Sequence, residues 1–174
     1  TPTDPQWEGR DRLLLSNGHI VPIQYAALAH AGYFPREECA TLRRFKSRLQ
    51  GHPERFSLPG LETTSGPLGE GLSQGAGMAY MLRLLGKKND VFVVMGDGEQ
   101  DEGNVWEAVL WAGKERLSHL TVVIDRNNIQ IDGYTEDVLP LDSLRAKYEA
   151  FRWQVREVNG HDIRAFISAV EEAR

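Results

Sequence analysis

Two apolar segments, separated by one helix-length of chain, set the terms for any fold of this sequence. Val91-Phe-Val-Val-Met95 is a continuous run of β-branched and large apolar residues, of strand length, that ends at Gly96-Asp97-Gly98. Thr121-Val-Val-Ile-Asp125 repeats the pattern about thirty residues later and ends at Asn127-Asn128. Between them, residues 104–117 read as a helix. Unbroken apolar strands belong to a sheet covered on both faces. Such strands, joined through a helix, pair in parallel by a right-handed crossover. The two strand ends then carry Asp97 and Asn127 to the edge where parallel α/β sheets bind ligands. A carboxylate and an amide oxygen placed together suit a hard cation such as Mg²⁺, which shares its shell with phosphates and water. Taken singly, the Gly-Asp-Gly is a turn and the Asn-Asn a loop; the spacing between them carries the metal reading.

The rest of the chain extends this α/β pattern. Residues 1–18 read mostly as loop around Leu13-Leu-Leu15. Pro22 opens a helix over 23–31 that Gly32 stops, and Pro35 opens a second over 36–49. A loop rich in Gly and Pro spans 50–66, and a third helix runs over 68–85. After a long loop at 126–141, Ser143 caps a short helix, Trp153 to Val158 reads as a third strand, and Asp162 caps a last amphipathic helix. The expectation is a single α/β domain over 1–174 with a mainly parallel sheet flanked by helices. Three strands are few for such a sheet, so the domain is expected to be incomplete at both ends.

Charge and cysteine usage narrow the function classes. The net charge of −5 argues against nucleic acid or an anionic membrane as the main partner. The single Cys39 forms no internal disulfide, excludes a cysteine-based zinc site and fits a reducing cytoplasm. No run approaches the ~20 apolar residues of a membrane span, and no signal-peptide pattern opens the sequence. An anionic substrate stays open, because Arg43, Arg44, Lys46, Arg48 and Arg55 form a local basic cluster. That cluster reads either as a solvated face or as a sugar-phosphate contact.

Other candidates lie around glycines. Gly66, Gly69, Gly71, Gly75 and Gly77 crowd the start of the third helix. Each helical glycine costs about 1 kcal/mol relative to alanine, so close backbone approach to a helix or to a ligand must offset it. A helix N-terminus also suits phosphate. The run is neither a Walker A loop nor a dinucleotide fingerprint, since no Gly-Lys-Ser/Thr follows and no strand leads in. His19 and His52 sit in glycine-flanked loops, where a histidine can reach a ligand and titrate near neutral pH. His30 reads as structural, and His119 and His161 as loop or cap residues. Glu99, Asp101 and Glu102 follow the Gly-Asp-Gly, as helix-dipole partners or as members of a proton relay.

Together these pieces resemble the diphosphate-binding domain of transketolase. The resemblance rests on Arg12-Leu-Leu-Leu-Ser-Asn-Gly-His19, Gly51-His-Pro-Glu54, Thr64-Ser-Gly-Pro-Leu-Gly-Glu-Gly71, Gly96-Asp-Gly-Glu-Gln-Asp-Glu-Gly103 and Asp125-Arg-Asn-Asn-Ile-Gln-Ile-Asp-Gly133, in the family's order. It implies a three-layer thiamine diphosphate-binding fold. It also implies Mg²⁺, or Ca²⁺ or Mn²⁺ as substitute, held by Asp97, Asn127 and the carbonyl of Ile129. Gly96, Gly98 and Glu99 would lie against the cofactor, His19 at its diphosphate, and Gly66, Pro67 and Leu68 along its aminopyrimidine. His52 would face the donor sugar, and Glu102 would join an acidic relay between paired active sites. The implied activity is transfer of a two-carbon glycolaldehyde unit from a ketose (phosphate) to an aldose (phosphate).

No segment here matches the family's pyrimidine-binding domain, which supplies the activating glutamate, and the family's earlier and later histidine motifs are also missing. The expectation is therefore the N-terminal subunit of a split transketolase, or the covered part of a longer chain, working as a homodimer or heterotetramer with a pyrimidine-binding partner. Two alternatives stand beside it. One is another thiamine enzyme of this architecture, of the deoxyxylulose-phosphate synthase or 2-oxo acid dehydrogenase type. The other is a non-catalytic scaffold subunit.

Overall fold

The computed structural model describes residues 1–174. Strands β1 (Arg12–Leu15), β2 (Val91–Gly96) and β3 (Leu120–Asp125) form one sheet in that order. Both pairings are parallel, and the register sets Leu15 opposite Val94 and Gly96 opposite Asp125. The apolar run around Val93 is thus the central strand. The sheet has three strands, but not the expected three. Leu13-Leu-Leu15, read as part of a loop, supplies the edge strand beside β2. Trp153 to Val158 pairs with no strand. Its Trp153 indole instead donates to the Val109 carbonyl at 3.0 Å and meets Tyr148 edge-on. Side-chain packing on a helix has taken the place of ladder hydrogen bonds there.

Helices cover both faces, which makes three layers. Helix α1 (Val21–Ala31) lies on one face, and α2 (Glu70–Leu84) and α3 (Gly103–Glu115) on the other. The pleat divides the core accordingly. Leu14, Val91, Val93 and Met95 join Leu72, Ala76, Val105, Val109 and Ala112 in one cluster. Leu15 joins Val21, Tyr25, Ala29, Phe34, Leu49, Leu58 and Leu61 in the other. Each fully buried Val or Leu contributes roughly 1.5–3 kcal/mol. Gly75 lets α2 close on β2, because a Cβ there would meet the Val93 side chain.

The predicted helix over 36–49 shrinks to a 3-10 turn at Arg36–Thr41. Beyond it Arg43 and Lys46 hold positive φ, which a helix forbids, and Leu49 turns into the core as part of an irregular loop. The loop at 126–141 contains a short hairpin of β4 (Ile129–Gln130) and β5 (Gly133–Tyr134), then a turn of helix α4 (Thr135–Val138). Two further helices close the chain, α5 (Leu144–Ala150) and α6 (Ile163–Glu172). Ser143 caps the first through the Ala146 amide and Asp162 the second through the Arg164 and Ala165 amides, as expected. No helix is long and apolar enough to cross a membrane.

Candidate active site

The glycine-flanked loops of the sequence converge at the carboxyl ends of β1, β2 and β3. Ser16 and Asn17 leave β1 and enter a 3-10 turn holding Gly18 and His19. Gly18 is buried, and a Cβ there would collide with the Ser65 hydroxyl and approach Pro53 at 3.2 Å. Ser65 in turn donates its amide to the Pro53 carbonyl at 3.2 Å. A Cβ on Gly66 would lie 3.8 Å from the His52 ring. The loops carrying His19, His52 and Gly66 therefore form one surface, although they are far apart in sequence. His19 and His52 are exposed on it, and Pro67 with them, while Leu68 is half-buried.

Glu99 ties this surface to β2. It is 2% exposed. Its Oε1 accepts the Gly69 amide at 2.7 Å and the Ser16 hydroxyl, and its Oε2 accepts the Gly96 amide at 3.2 Å. Ser16 Oγ also accepts the Gly71 amide at 3.1 Å. One carboxylate thus fastens the end of β2 to the start of α2, where Gly69 adopts the left-handed conformation at φ +81°. Helix α2 needs glycine at Gly71 too, since a Cβ would sit 2.9 Å from Ser16 Cα. Of the two readings of the glycine run, close backbone packing accounts for Gly69, Gly71 and Gly75. Gly66, beside His52, faces the convergent loops.

Asp97 lies in the turn after β2, 1% exposed, with its amide donated to the Asp125 carbonyl at 3.1 Å. Its Oδ1 accepts the Gly98 amide at 2.8 Å. Its Oδ2 accepts the Asn128 amide at 2.7 Å, Arg126 Nη1 at 2.9 Å and the Thr135 hydroxyl at 3.1 Å. The ends of β2 and β3 are thereby joined, as the spacing of Asp97 and Asn127 requires. Asn127 is exposed; its Oδ1 accepts the Ile129 amide at 2.9 Å and its Nδ2 donates to Asp125 at 3.1 Å. Gln130 packs over Gly98, where a Cβ would lie 2.9 Å from its own Cβ. Burial works against the Arg126 charge, but hydrogen bonds and charges from Asp97 and Glu136 hold its pKa above the usual arginine range.

The donor set can be weighed against a divalent cation and a diphosphate. No group of three or more His, Cys, Asp or Glu side chains is placed to hold a metal ion by itself. A cation here would rely on one carboxylate, one amide and one backbone carbonyl, with the remaining oxygens from phosphate and water. That is the manner of Mg²⁺, which keeps few protein ligands. Asn17 Oδ1 is buried without a hydrogen-bond partner at the end of β1, beside Gly96, as is Ser65 Oγ in the adjoining loop. Unpaired polar atoms buried just beneath convergent loops are what a polar ligand or an ordered water satisfies. The residues fit the group.

Glu102 is exposed at the N-cap of α3, and its side chain makes no capping hydrogen bond. It stands clear of the Asp97 network. Several residues escaped the sequence reading: Ser16, Arg126, Thr135, Glu136, Gln100 and Tyr148. Gln100 is fully buried, donates to the Gly96 carbonyl at 3.0 Å and accepts the Tyr148 hydroxyl at 2.7 Å. Only the position of Arg126 between Asp125 and Asn127 could have drawn notice. Nothing local marks the others.

A family model described as "Transketolase, thiamine diphosphate binding domain" matches residues 1–174. The 6-deoxy-6-sulfo-D-fructose transketolase subunit SqwG of Clostridium sp. (strain MSTE9) is 44% identical over 99% of this chain and 63% of its own length. An apulose-4-phosphate transketolase subunit of Phocaeicola vulgatus is 42% identical over 95% of this chain and 59% of its own length. Transketolase 2 of Escherichia coli is 40% identical over 99% of this chain and 28% of its own length. Among solved structures, transketolase from Leishmania mexicana superposes with a TM-score of 0.95 at 36% identity, covering 99% of this chain and 28% of that one. The chain thus spans about three fifths of the subunit relatives it matches.

Proposed function

The chain belongs to the transketolase family through its thiamine diphosphate-binding domain, and from that premise we propose that it supplies the diphosphate half of a transketolase active site. The observation that carries this is the convergence of the His19 turn, the His52 loop, the Gly66 loop and the Asp97 turn on one edge of the sheet. Thiamine diphosphate, when bound, supplies the electron sink for cleaving a carbon–carbon bond next to a carbonyl. The chain's own residues bind, orient and exclude water. Asp97 Oδ1, Asn127 Oδ1 and the Ile129 carbonyl would hold Mg²⁺, or Ca²⁺ or Mn²⁺ in its place. Gly96, Gly98 and His19 would border the diphosphate, with Glu99 fixing the loops from behind. Gly66, Pro67 and Leu68 would line the aminopyrimidine.

His52, exposed beside Gly66, would face the donor ketose. Glu102, exposed and free, would meet its counterpart across a subunit interface. A separate pyrimidine-binding domain or subunit would complete the site, in a homodimer or heterotetramer. Two of the relatives are named as subunits of sugar transketolases, which supports a divided architecture and phosphorylated or sulfonated sugars as substrates. The single Cys39 fits a reducing cytoplasm.

The test is calorimetric titration of thiamine diphosphate into the protein, with and without Mg²⁺ and with a pyrimidine-domain partner. Binding that requires Mg²⁺ and tightens with the partner is expected. Absence of binding under every condition would refute the reading and leave a scaffold subunit.

A further inference from the structure

The fold treats the two oxygens of Asp97 differently. Oδ1 accepts one hydrogen bond, from the Gly98 amide. Oδ2 accepts three, from Asn128, Arg126 and Thr135. A carboxylate oxygen offers two lone-pair sites, so Oδ2 is saturated and Oδ1 keeps one in reserve. Asn128 and Thr135 are neutral donors and cannot offset the charge of a carboxylate that is 1% exposed. Arg126 can. Its other arm bonds the Glu136 carboxylate, with Asp142 at 3.8 Å. Glu136 is itself anchored by the Leu141 amide at 3.0 Å and the Asp142 amide at 3.4 Å. A strap of alternating charge thus runs from the end of β2, across the root of the β4–β5 hairpin, to the segment beyond α4. The hairpin root includes Asn127 and Ile129.

We propose that Arg126 is a positioning residue: anchored by Glu136, its guanidinium is a built-in counter-charge that fixes Asp97 through Oδ2, reserves Oδ1 for a metal ion, and holds the loop of Asn127 and Ile129 in place without one. This rests on the metal reading of Asp97 and Asn127 given above. It makes the site preformed, where an unstrapped carboxylate would need the metal itself to gather the loop. It also restricts Asp97 to one oxygen in the metal's shell. A guanidinium suits the task because its planar fork serves two carboxylates at once, which an ammonium does less well.

Hydrogen exchange in the full-length protein, with its partner where it has one, tests the proposal. The probes are the Asn128 and Thr135 amides, which donate to Asp97 Oδ2 and the Asn128 carbonyl. In the wild type both exchange slowly in EDTA and equally slowly with Mg²⁺ and thiamine diphosphate. In Arg126→Met they exchange about tenfold faster or more in EDTA and return to the wild-type rate with Mg²⁺ and thiamine diphosphate. Glu136→Gln, which keeps the guanidinium and weakens its anchor, shows the same pattern at smaller amplitude. Wild-type protection of Arg126→Met in EDTA would overturn the proposal. So would a loss that Mg²⁺ and cofactor leave unrepaired, since that marks a purely structural role. If Arg126→Met does not fold, Glu136→Gln decides by the same criteria. A wild type whose cofactor binding ignores Mg²⁺ would instead refute the metal reading, and calorimetry on the wild type separates the two failures.

Discussion

Tyr148 donates its hydroxyl to Gln100 Oε1 at 2.7 Å, and burial, aided by the charge of Glu99, pushes its pKa well above the usual tyrosine range. The folded state therefore keeps the phenol neutral where the unfolded chain ionises, near pH ~10. The resulting stabilisation is complete below that pH and fades as pH rises through it. Tyr148→Phe leaves Gln100 Oε1 unpaired and is expected to cost about 1–3 kcal/mol near neutrality. The gap in denaturant midpoint between wild type and Tyr148→Phe should narrow from about pH 9 to about pH 11, and a constant gap would show that the phenol ionises freely in the fold. At the proposed metal site, Asn127 gives a cleaner test than Asp97. Removing the Asp97 carboxylate orphans four donors as well as removing a proposed metal ligand. Asn127 is exposed and holds only local partners, so Asn127→Ala should keep the fold. It is expected to weaken Mg²⁺-dependent cofactor binding about tenfold or more, read by calorimetry, and unchanged affinity would remove it from the metal's shell. His52→Ala should lower turnover far more than cofactor affinity; a loss confined to cofactor binding would relocate His52 from the sugar to the cofactor.

Among the elements, α2 shows how one glycine run serves different ends. Gly75 and Gly77 are two residues apart, yet a Cβ at Gly75 would strike Val93 whereas one at Gly77 meets nothing within 4 Å. Val93 is fully buried and β-branched, so its restricted χ1 leaves it little freedom to give way. Gly75→Ala should therefore cost about 1–3 kcal/mol through overpacking. Gly77→Ala should stabilise by roughly 0.5–1 kcal/mol through helix propensity alone. Urea denaturation of the two variants reads both signs, and equal effects would mean that α2 does not close on β2 as described. The same contrast explains what was legible. Strands β2 and β3, helices α2 and α3, and the Ser143 and Asp162 caps carry their signals within a few residues, and all stand as expected. Leu13-Leu-Leu15 is too short to announce a strand until β2 offers it an edge. Trp153 to Val158 has strand composition, but Trp153 packs on α3 and the segment pairs with no strand.

On the scale of the molecule, the apolar surface is uneven. Ile131 at the hairpin tip is fully exposed, with Ile129 and Tyr134 beside it, and Phe45 and Phe56 stand out on the segment that carries His52. The hairpin packs on the turn of Asp97 through Gln130 over Gly98, so its apolar tip flanks the convergent loops, where the proposed partner would sit. Ile131→Glu is expected to leave folding and the solitary chain's cofactor binding unchanged and to weaken the partner-induced tightening, read in the same titrations; undiminished tightening would place the partner elsewhere. Spacing and periodicity alone gave the parallel α/β core and the placement of Asp97 and Asn127 at neighbouring strand ends, because each signal lies within one element or one crossover. The family resemblance likewise rested on short motifs in a fixed order. Only the tertiary structure decided that Glu99 binds loops from three parts of the chain, that Arg126 and Thr135 hold Asp97, and that Tyr148 reaches Gln100. Nearly all of those hydrogen bonds join residues tens of positions apart, and folding alone supplies the geometry that makes a carboxylate a fastener between distant loops.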